Sequence, residues 1–463
     1  MTTFDRRVFL KGCGAAALTA GVGSRAMAWF PPGDLLPAAA TEDTLVIVFL
    51  RGAMDGLSLL PPSANSPDRP FYEQYRSATR VPTSGTGAGL ALAGNPDWLL
   101  HPRASALRDL YASQHLGIVV AAGQVQPNPV IRSHFDAQAN LEFGVGGGTG
   151  NSIGWFTRHL LSGGLPGTVP LPAVSMGSIT AASLLGSSDA ITMGSGQDFR
   201  LNTFHWSWGN DNPDEGLVGA ISRMDTLWNG NTRLEVAGAE TLDSLALLRD
   251  IDFAGYVPTG GADYDLAYNG GFGDQLRDVA CLVKRGLGLR AVTIDLGNWD
   301  THVGQGNPTQ SWDWFGNQVE SLSAGLDAFY TDLSSDPGGN LMHRVSVLVV
   351  SEFGRRAIEN EDGGTDHGYG NVILALGGSV NGGQVYGNFP GLSGEQLYEG
   401  TDVRVTTDYR QVVSEALIRR LGNPNIYFVF PGYTGYAPLG LFQGPDVPPT
   451  NFDAIFANGF DAS

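Results

Sequence analysis

Two continuous apolar runs, far apart in the chain, limit the folds that this sequence can adopt. The first is TLVIVFL at residues 44–50, and the second lies within RVSVLVVSEFGR at residues 344–355. A strand with one face in solvent alternates apolar and polar side chains, whereas a strand covered on both faces does not. Both runs therefore predict central strands of a parallel sheet.

Further apolar runs alternate with stretches of helical periodicity. Strands are predicted at LGIVVAAG, RAVTIDLG and NVILALGG, and one helical stripe consists of Val319, Leu322, Leu326, Phe329 and Leu333. This alternation predicts an α/β fold, a doubly wound and mostly parallel sheet with helices on both faces. Residues 144–240 are rich in glycine, serine and tryptophan, so we expect a loop-rich insertion or cap there.

The N-terminus predicts export. Paired arginines, Arg6 and Arg7, precede an alanine-rich apolar stretch, and Ala26-Met27-Ala28 has the form of a cleavage site. The pattern resembles a bacterial twin-arginine signal, which implies a periplasmic or secreted protein with the Tat translocase as its partner during export. The apolar stretch is too short to span a membrane well, so no stable span is expected after cleavage. The predicted segments are a signal peptide (1–28), a linker (29–43), an α/β domain (44–430) and a C-terminal tail (431–463).

Charge and cysteine content narrow the possible partners. The formal net charge of the 463 residues is −19, which disfavours binding to nucleic acid and to anionic membrane surfaces. Of the two cysteines, Cys13 leaves with the predicted signal and Cys281 remains alone. An intrachain disulfide is therefore not expected, and the stability of the mature protein rests on its core.

Polar side chains follow each predicted strand. In chain order they are Asp55, Ser133 with His134, Asp300 with His302, Glu352, and Asp366 with His367. Ligands of open parallel sheets bind beyond the carboxyl ends of the strands, where these side chains would meet. Crowded carboxylates repel one another unless a cation compensates their charge. The mixture of imidazole and carboxylate groups predicts one or two divalent ions, with zinc or manganese favoured and calcium or magnesium possible.

Each of these residues also has an ordinary structural interpretation. Asp55 precedes a glycine and is suited to a turn. Ser133 can cap a helix together with Asp136, and Asp300 can form a local turn. Glu352 can pair with a nearby arginine. The metal site therefore depends on the strand ends meeting in space.

The landmarks of the chain resemble, in order, those of the DUF1501 family over residues 42–422. They are LVIVFLRGAMDGLSLLPP, LLHPRASALRDLYASQHLGIVVAAG with SHFDAQANLEF, GNWDTH, SEFGRRAIEN with GTDHGYGNVILALGGSVNGGQVYG, and DYRQVVSEAL. The family is grouped with the alkaline phosphatase superfamily, which includes sulfatases. The resemblance implies an alkaline phosphatase-like fold.

The resemblance also implies roles for individual positions. Asp55 matches a metal-binding aspartate after the first strand, Ser133 matches the nucleophile, and His367 matches a final metal-binding histidine. Two positions depart from the superfamily pattern. Asp300 and His302 form DxH where DxxxH is usual, and Glu352 stands where Asp-His is usual. These departures favour a single ion or weakened catalysis.

Together these observations predict an exported, metal-dependent hydrolase of a phosphate or sulfate ester, acting on an anionic small molecule or polymer. The predicted metal ligands are Asp55, Asp300, His302, Glu352 and His367. Ser133 is the predicted nucleophile and His134 a base or ligand, Arg51 or Arg355 would hold the anionic group, and Asp366 would orient an imidazole. A secreted binding or assembly protein that keeps the fold without the chemistry is the alternative. A carbohydrate-binding role, based on tryptophans between residues 155 and 228, is a third.

Overall fold

The computed structural model describes residues 42–125, 130–145, 153–163, 169–197, 199, 224 and 226–449. The helices are α1 (Gly56–Leu59), α2 (Arg69–Tyr75), α3 (Ser105–Ala112), α4 (His134–Phe143), α5 (Trp155–Ser162), α6 (Arg233–Arg249), α7 (Gly270–Lys284), α8 (Trp314–Ser334), α9 (Tyr409–Arg419) and α10 (Ile426–Val429). The strands are β1 (Thr44–Leu50), β2 (Leu90–Leu92), β3 (Asn95–Leu100), β4 (Leu116–Gly123), β5 (Ala173–Met176), β6 (Ala190–Met193), β7 (Ala291–Leu296), β8 (Val345–Val350), β9 (Arg355–Glu359), β10 (Thr365–His367), β11 (Asn371–Gly377), β12 (Val385–Tyr386) and β13 (Thr407–Asp408).

A nine-stranded sheet forms the centre of the fold. Its order is β12-β4-β11-β8-β1-β7-β5-β6, with β13 also paired to β4. Neighbouring strands run parallel except at β11, which is antiparallel to both β4 and β8. The prediction of a mixed α/β fold with a large, mostly parallel sheet is confirmed.

The apolar runs are continuous because helices cover both faces of the sheet. In β1, Val46, Val48 and Leu50 pack into one core, which contains side chains of α3, α7 and α8. The intervening residues of β1 pack into a second core with α4, α5 and α9. All seven residues of β1 are buried, as its sequence predicts.

The antiparallel strand β11 brings a second set of side chains to the functional edge of the sheet. After β8 the chain turns back through the β9–β10 hairpin and enters β11 without a helix between them. Because β11 runs opposite to its neighbours, its beginning lies beside their carboxyl ends. His367, which ends β10 shortly before β11, therefore lies at the same edge as the ends of β1, β7 and β8.

Two predicted regions take a different form in the structure. Within residues 144–240, where an insertion or cap was predicted, β5 and β6 extend the main sheet beyond β7, with β6 at its edge. In the predicted tail, Tyr433, Leu441 and Phe442 are buried in the second core, so this part of the tail belongs to the domain. Most of the linker, the predicted signal peptide and residues 450–463 lie outside the described residues.

No helix within the described ranges combines the length and apolarity that crossing a membrane requires.

A buried histidine in α5 predicts a loss of stability in acid. His159 is 2% exposed, its Nδ1 accepts a hydrogen bond from Asn423 at 2.9 Å, and burial lowers its pKa from 6.5 to about 3. Between these two values the unfolded chain binds a proton at this ring and the folded protein does not, so the free energy of unfolding falls as pH decreases. From about pH 7 to about pH 5 this group removes roughly 2 kcal/mol.

The measurement is urea unfolding at both pH values for the wild type and for His159→Gln, which keeps a hydrogen-bond acceptor. The variant should lose less stability between the two values than the wild type. Equal losses in the two proteins would contradict the assignment.

Candidate metal centre

Three imidazoles converge at the carboxyl edge of the sheet, each carried by a different segment. His134 is the first residue of α4, which follows β4 in the chain. His302 lies in the loop after β7, and His367 ends β10. The ring centroids are 4.2 Å apart for His134 and His367, and 4.5 Å apart for His302 and His367.

The carboxylate of Asp300 lies among the Nε2 atoms of all three rings. Its Oδ1 is 3.2 Å from Nε2 of His302 and 3.4 Å from Nε2 of His367. Its Oδ2 is 3.4 Å from Nε2 of His134. Possible ligand atoms of His134, Asp300 and His367 all lie within 4.8 Å of one another, which is close enough for one ion to contact all of them.

The opposite nitrogen of each ring faces an acceptor outside the cluster. Nδ1 of His134 is 2.8 Å from a carboxylate oxygen of Glu352, and Nδ1 of His302 is 2.9 Å from Asp366. Nδ1 of His367 is 2.7 Å from the carbonyl oxygen of Arg132. Carboxylates and carbonyls accept hydrogen bonds, so the ring proton of each neutral imidazole is at Nδ1.

This arrangement leaves Nε2 lone pairs facing one another. Nε2 of His302 is only 2.9 Å from Nε2 of His367, and Nε2 of His134 is buried without a hydrogen-bond partner among the described residues. Two unprotonated ring nitrogens at this distance repel unless a proton or a metal ion lies between them. Outward hydrogen bonds from Nδ1 to carboxylate or carbonyl groups are typical of metal-binding histidines. The donor set therefore fits zinc or manganese better than calcium or magnesium.

Arg355 holds Asp300 in place. Its guanidinium is fully buried and donates to Oδ1 of Asp300 at 2.6 Å. It also donates to the backbone carbonyls of Ala53 and Thr365, each at 2.7 Å. Burial raises the pKa of Asp300, but the hydrogen bond and positive charge of Arg355 outweigh it, so the pKa lies below its usual value. Because its guanidinium donates to protein acceptors, Arg355 positions a candidate ligand. The sequence instead predicts that Arg355 binds substrate.

Glu352 is a buried carboxylate that orients His134. It is 1% exposed and accepts hydrogen bonds from the Gly52 amide at 2.9 Å and the Gln138 side chain at 2.8 Å. Burial raises its pKa, but hydrogen bonds from His134, Gln138 and Gly52 outweigh burial and lower it. In return, the hydrogen bond with Glu352 raises the pKa of His134. The sequence predicts Glu352 as a metal ligand, whereas the structure places it behind an imidazole.

Asp366 has a similar position behind His302. The hydrogen bond from His302 lowers the pKa of Asp366, and Asn360 donates to the same oxygen at 3.1 Å. Burial lowers the pKa of His367, which favours the neutral ring with a free lone pair. Asp366 therefore lies next to an imidazole that it can orient.

Glycines allow the loop around His367 to lie directly on the backbone after β8. A Cβ atom at Gly354 would lie 1.9 Å from the carbonyl oxygen of Gly370, a contact that requires the backbone to move. The Gly354 carbonyl also accepts a hydrogen bond from the Gly368 amide at 2.8 Å. His367 precedes Gly368, so its ring position depends on this close approach.

Gly354→Ala should therefore displace His367 and destabilise the protein by about 1–3 kcal/mol, with weaker zinc binding. Gly297→Ala is the matched control, because a Cβ there meets no atom within 4 Å. Denaturant unfolding and zinc titration of both variants check the prediction. Similar behaviour of the two variants would contradict it.

Asp55 belongs to a separate buried ion pair. Arg76, whose side chain is 0% exposed, donates to both carboxylate oxygens of Asp55. Ser58 and Gln305 donate to Oδ2 of the same carboxylate, at 2.7 and 2.8 Å. The guanidinium thus supplies the positive charge that the sequence predicts for a metal ion, and Asp55 is outside the group of residues that surrounds Asp300.

The remaining predicted residues lie near the cluster but contact other groups. Ser133 caps α4, since its Oγ accepts a hydrogen bond from the Asp136 amide at 3.5 Å, as expected for an ordinary helix cap. Arg51 forms a two-pronged ion pair with Glu142, at 2.9 and 3.0 Å. It also contacts Asp295 at 3.0 Å, so it is already neutralised.

Sequence reasoning missed Arg76 and Gln138, and it left His134 open as a base or a ligand. No sequence signal connects Arg76 to Asp55, because the pairing depends on how α2 packs. Gln138 lies four residues after His134, a spacing that places both on one face of a helix and could have been noticed.

The fold and the site together define an α/β protein with a candidate histidine–aspartate metal centre at the carboxyl edge of its sheet. Residues 273–422 match a family described as "Protein of unknown function (DUF1501)". This match supports the resemblance over a stretch that contains Asp300, His302, Glu352, Asp366 and His367. No match was found among curated proteins.

Proposed function

We propose that the protein is an exported, metal-dependent hydrolase of a phosphate or sulfate ester with an alkaline phosphatase-like fold. His134, Asp300, His302 and His367 would hold one divalent ion. The observation that carries the proposal is the convergence of three Nε2 atoms on Asp300, with each Nδ1 held by an outside acceptor. A bound ion of this type supplies Lewis-acid polarisation of an ester oxygen and activates a nearby hydroxyl or water.

The protein residues around the cluster support this chemistry by fixing positions and charges. Arg355 keeps Asp300 ionised and oriented, and Glu352 and Asp366 keep two rings in the tautomer that leaves Nε2 free. Ser133 is exposed and directly precedes His134, so its hydroxyl is the candidate nucleophile.

The experiment that tests the proposal is metal analysis of the purified protein, followed by assays with a generic aryl phosphate and aryl sulfate after loading with zinc or manganese. Asp300→Asn should lose both the metal and turnover. Ser133→Asn should keep the metal and the helix cap, because asparagine is a good N-cap residue, but lose turnover. A protein that binds neither metal and cleaves neither ester would contradict the proposal.

A binding or assembly protein without catalysis is the second candidate. It is favoured by the commitment of Arg51 and Arg355 to ion pairs and of Ser133 to a helix cap. In that case neither the wild type nor Ser133→Asn should turn over either ester, while both bind metal at the cluster.

A further inference from the structure

The charges around the cluster restrict the substrate of the proposed hydrolase. Three carboxylates, on Asp300, Glu352 and Asp366, face three imidazoles and the single guanidinium of Arg355. With neutral rings, three carboxylates against one guanidinium leave an excess of two negative charges. One divalent ion neutralises this excess and leaves no net positive charge for a doubly charged substrate.

The other arginines at this edge add little positive charge. Arg51 pairs with Glu142 and Asp295, and Arg132 pairs with Asp402 at 2.6 Å and Glu399 at 2.8 Å. Compared with Arg51, Arg132 and Arg355, Arg356 has the weakest ion pairing. Its side chain is 40% exposed and its Nε lies 3.9 Å from Asp402. The edge therefore offers one incompletely paired cation, in a chain whose net charge is −19.

Apolar side chains directly follow two of the candidate ligands. Phe135, next to His134, is 86% exposed, and Val303, next to His302, is 72% exposed. Both side chains therefore offer apolar surface next to a candidate ligand in the chain, which an apolar group of a bound molecule can contact.

Building on the proposed function, we propose that the substrate carries a singly charged ester group, a sulfate monoester or a phosphate diester, joined to an apolar group. A phosphate monoester carries about −1.5 to −2 charge at pH 7 and is disfavoured because the site lacks a second compensating cation. Polyanionic polymers are disfavoured for the same reason. The apolar part of the substrate would contact Phe135 and Val303.

The test uses binding of inert analogues and does not require turnover. Zinc-loaded protein is titrated calorimetrically with octylsulfonate, which is singly charged, and with octylphosphonate. The pH is held well above the second pKa of octylphosphonate, so that this analogue is doubly charged. We expect octylsulfonate to bind about tenfold more tightly. Methylsulfonate should bind more weakly than octylsulfonate. The ratio of their two dissociation constants should fall about threefold or more in Phe135→Ser and in Val303→Ser.

The matched control is Val257→Ser. Val257 is 78% exposed. The nearby residues Tyr256 and Thr259 donate hydrogen bonds to Asp332 of α8. This variant should bind all three analogues like the wild type. Equal or tighter binding of octylphosphonate, or a chain-length effect that is unchanged in Phe135→Ser and Val303→Ser, would overturn this inference alone. A protein that takes up neither zinc nor manganese and cleaves neither ester would overturn the proposed function and this inference with it.

Discussion

Replacing Arg76 by methionine is expected to lower the free energy of unfolding by about 3–5 kcal/mol, because the change leaves the Asp55 carboxylate buried without its partner. Asp55 is 1% exposed and Arg76 is 0% exposed. Burial raises the pKa of Asp55, but the ion pair and hydrogen bonds with Arg76 outweigh it and lower the pKa. The guanidinium also donates to the carbonyls of Ala357 and Arg356, so it joins α2 to β9. Denaturant unfolding measures the loss.

The double variant Asp55→Asn with Arg76→Met is the control, because it removes both charges at once. It should be clearly more stable than Arg76→Met alone, since no uncompensated charge remains. A different result would make Asp55 a metal ligand, as the sequence predicts. In that result Arg76→Met lowers the free energy of unfolding by less than about 1 kcal/mol, and the variant protein binds a second equivalent of zinc. In that case the structural interpretation of the pair is wrong.

Replacing His367 by alanine is expected to weaken zinc binding by about 100-fold or more, because the change removes one of the converging Nε2 atoms. The ring contacts Asp300 and lies 2.9 Å from Nε2 of His302, so no neighbouring side chain replaces it without rearrangement. Glu352→Gln should have a smaller effect, about 10- to 100-fold, since Glu352 acts on the metal through His134. Competition titration with a zinc chelator measures both.

His343→Ala is the matched control, because His343 is exposed and lies outside the cluster. It should bind zinc as the wild type does. The assignment fails if His367→Ala and His343→Ala bind zinc with the same affinity, or if Glu352→Gln is the more damaging of the two cluster variants.

The central sheet could be predicted from the sequence because burial on both faces leaves continuous apolar runs, as in β1 and β8. The direction of β11 could not be predicted from its own residues, since parallel and antiparallel buried strands have the same composition. The available signal was that no helix is predicted between β8 and β11. A connection between two parallel strands needs a crossover, which is usually a helix. Strand β5 and the edge strand β6 were missed because each has only four residues.

The site was predictable to the extent that it depends on strand ends. Asp300, His302 and His367 meet because their segments end or begin at one edge, and this placement follows from the fold. The roles of Asp55, Glu352 and Arg355 depend on which side chain fills the space beside each of them. That information lies in packing between distant segments, such as the contact of Arg76 with Asp55, and does not appear in local sequence.

The most direct test of the account is a crystal structure of the zinc-loaded protein with anomalous diffraction data collected at the zinc edge. The account predicts one anomalous peak per chain, about 2.0–2.2 Å from the Nε2 atoms of the cluster histidines and from an oxygen of Asp300. A peak beside Asp55, two peaks, or no peak at the cluster would contradict it.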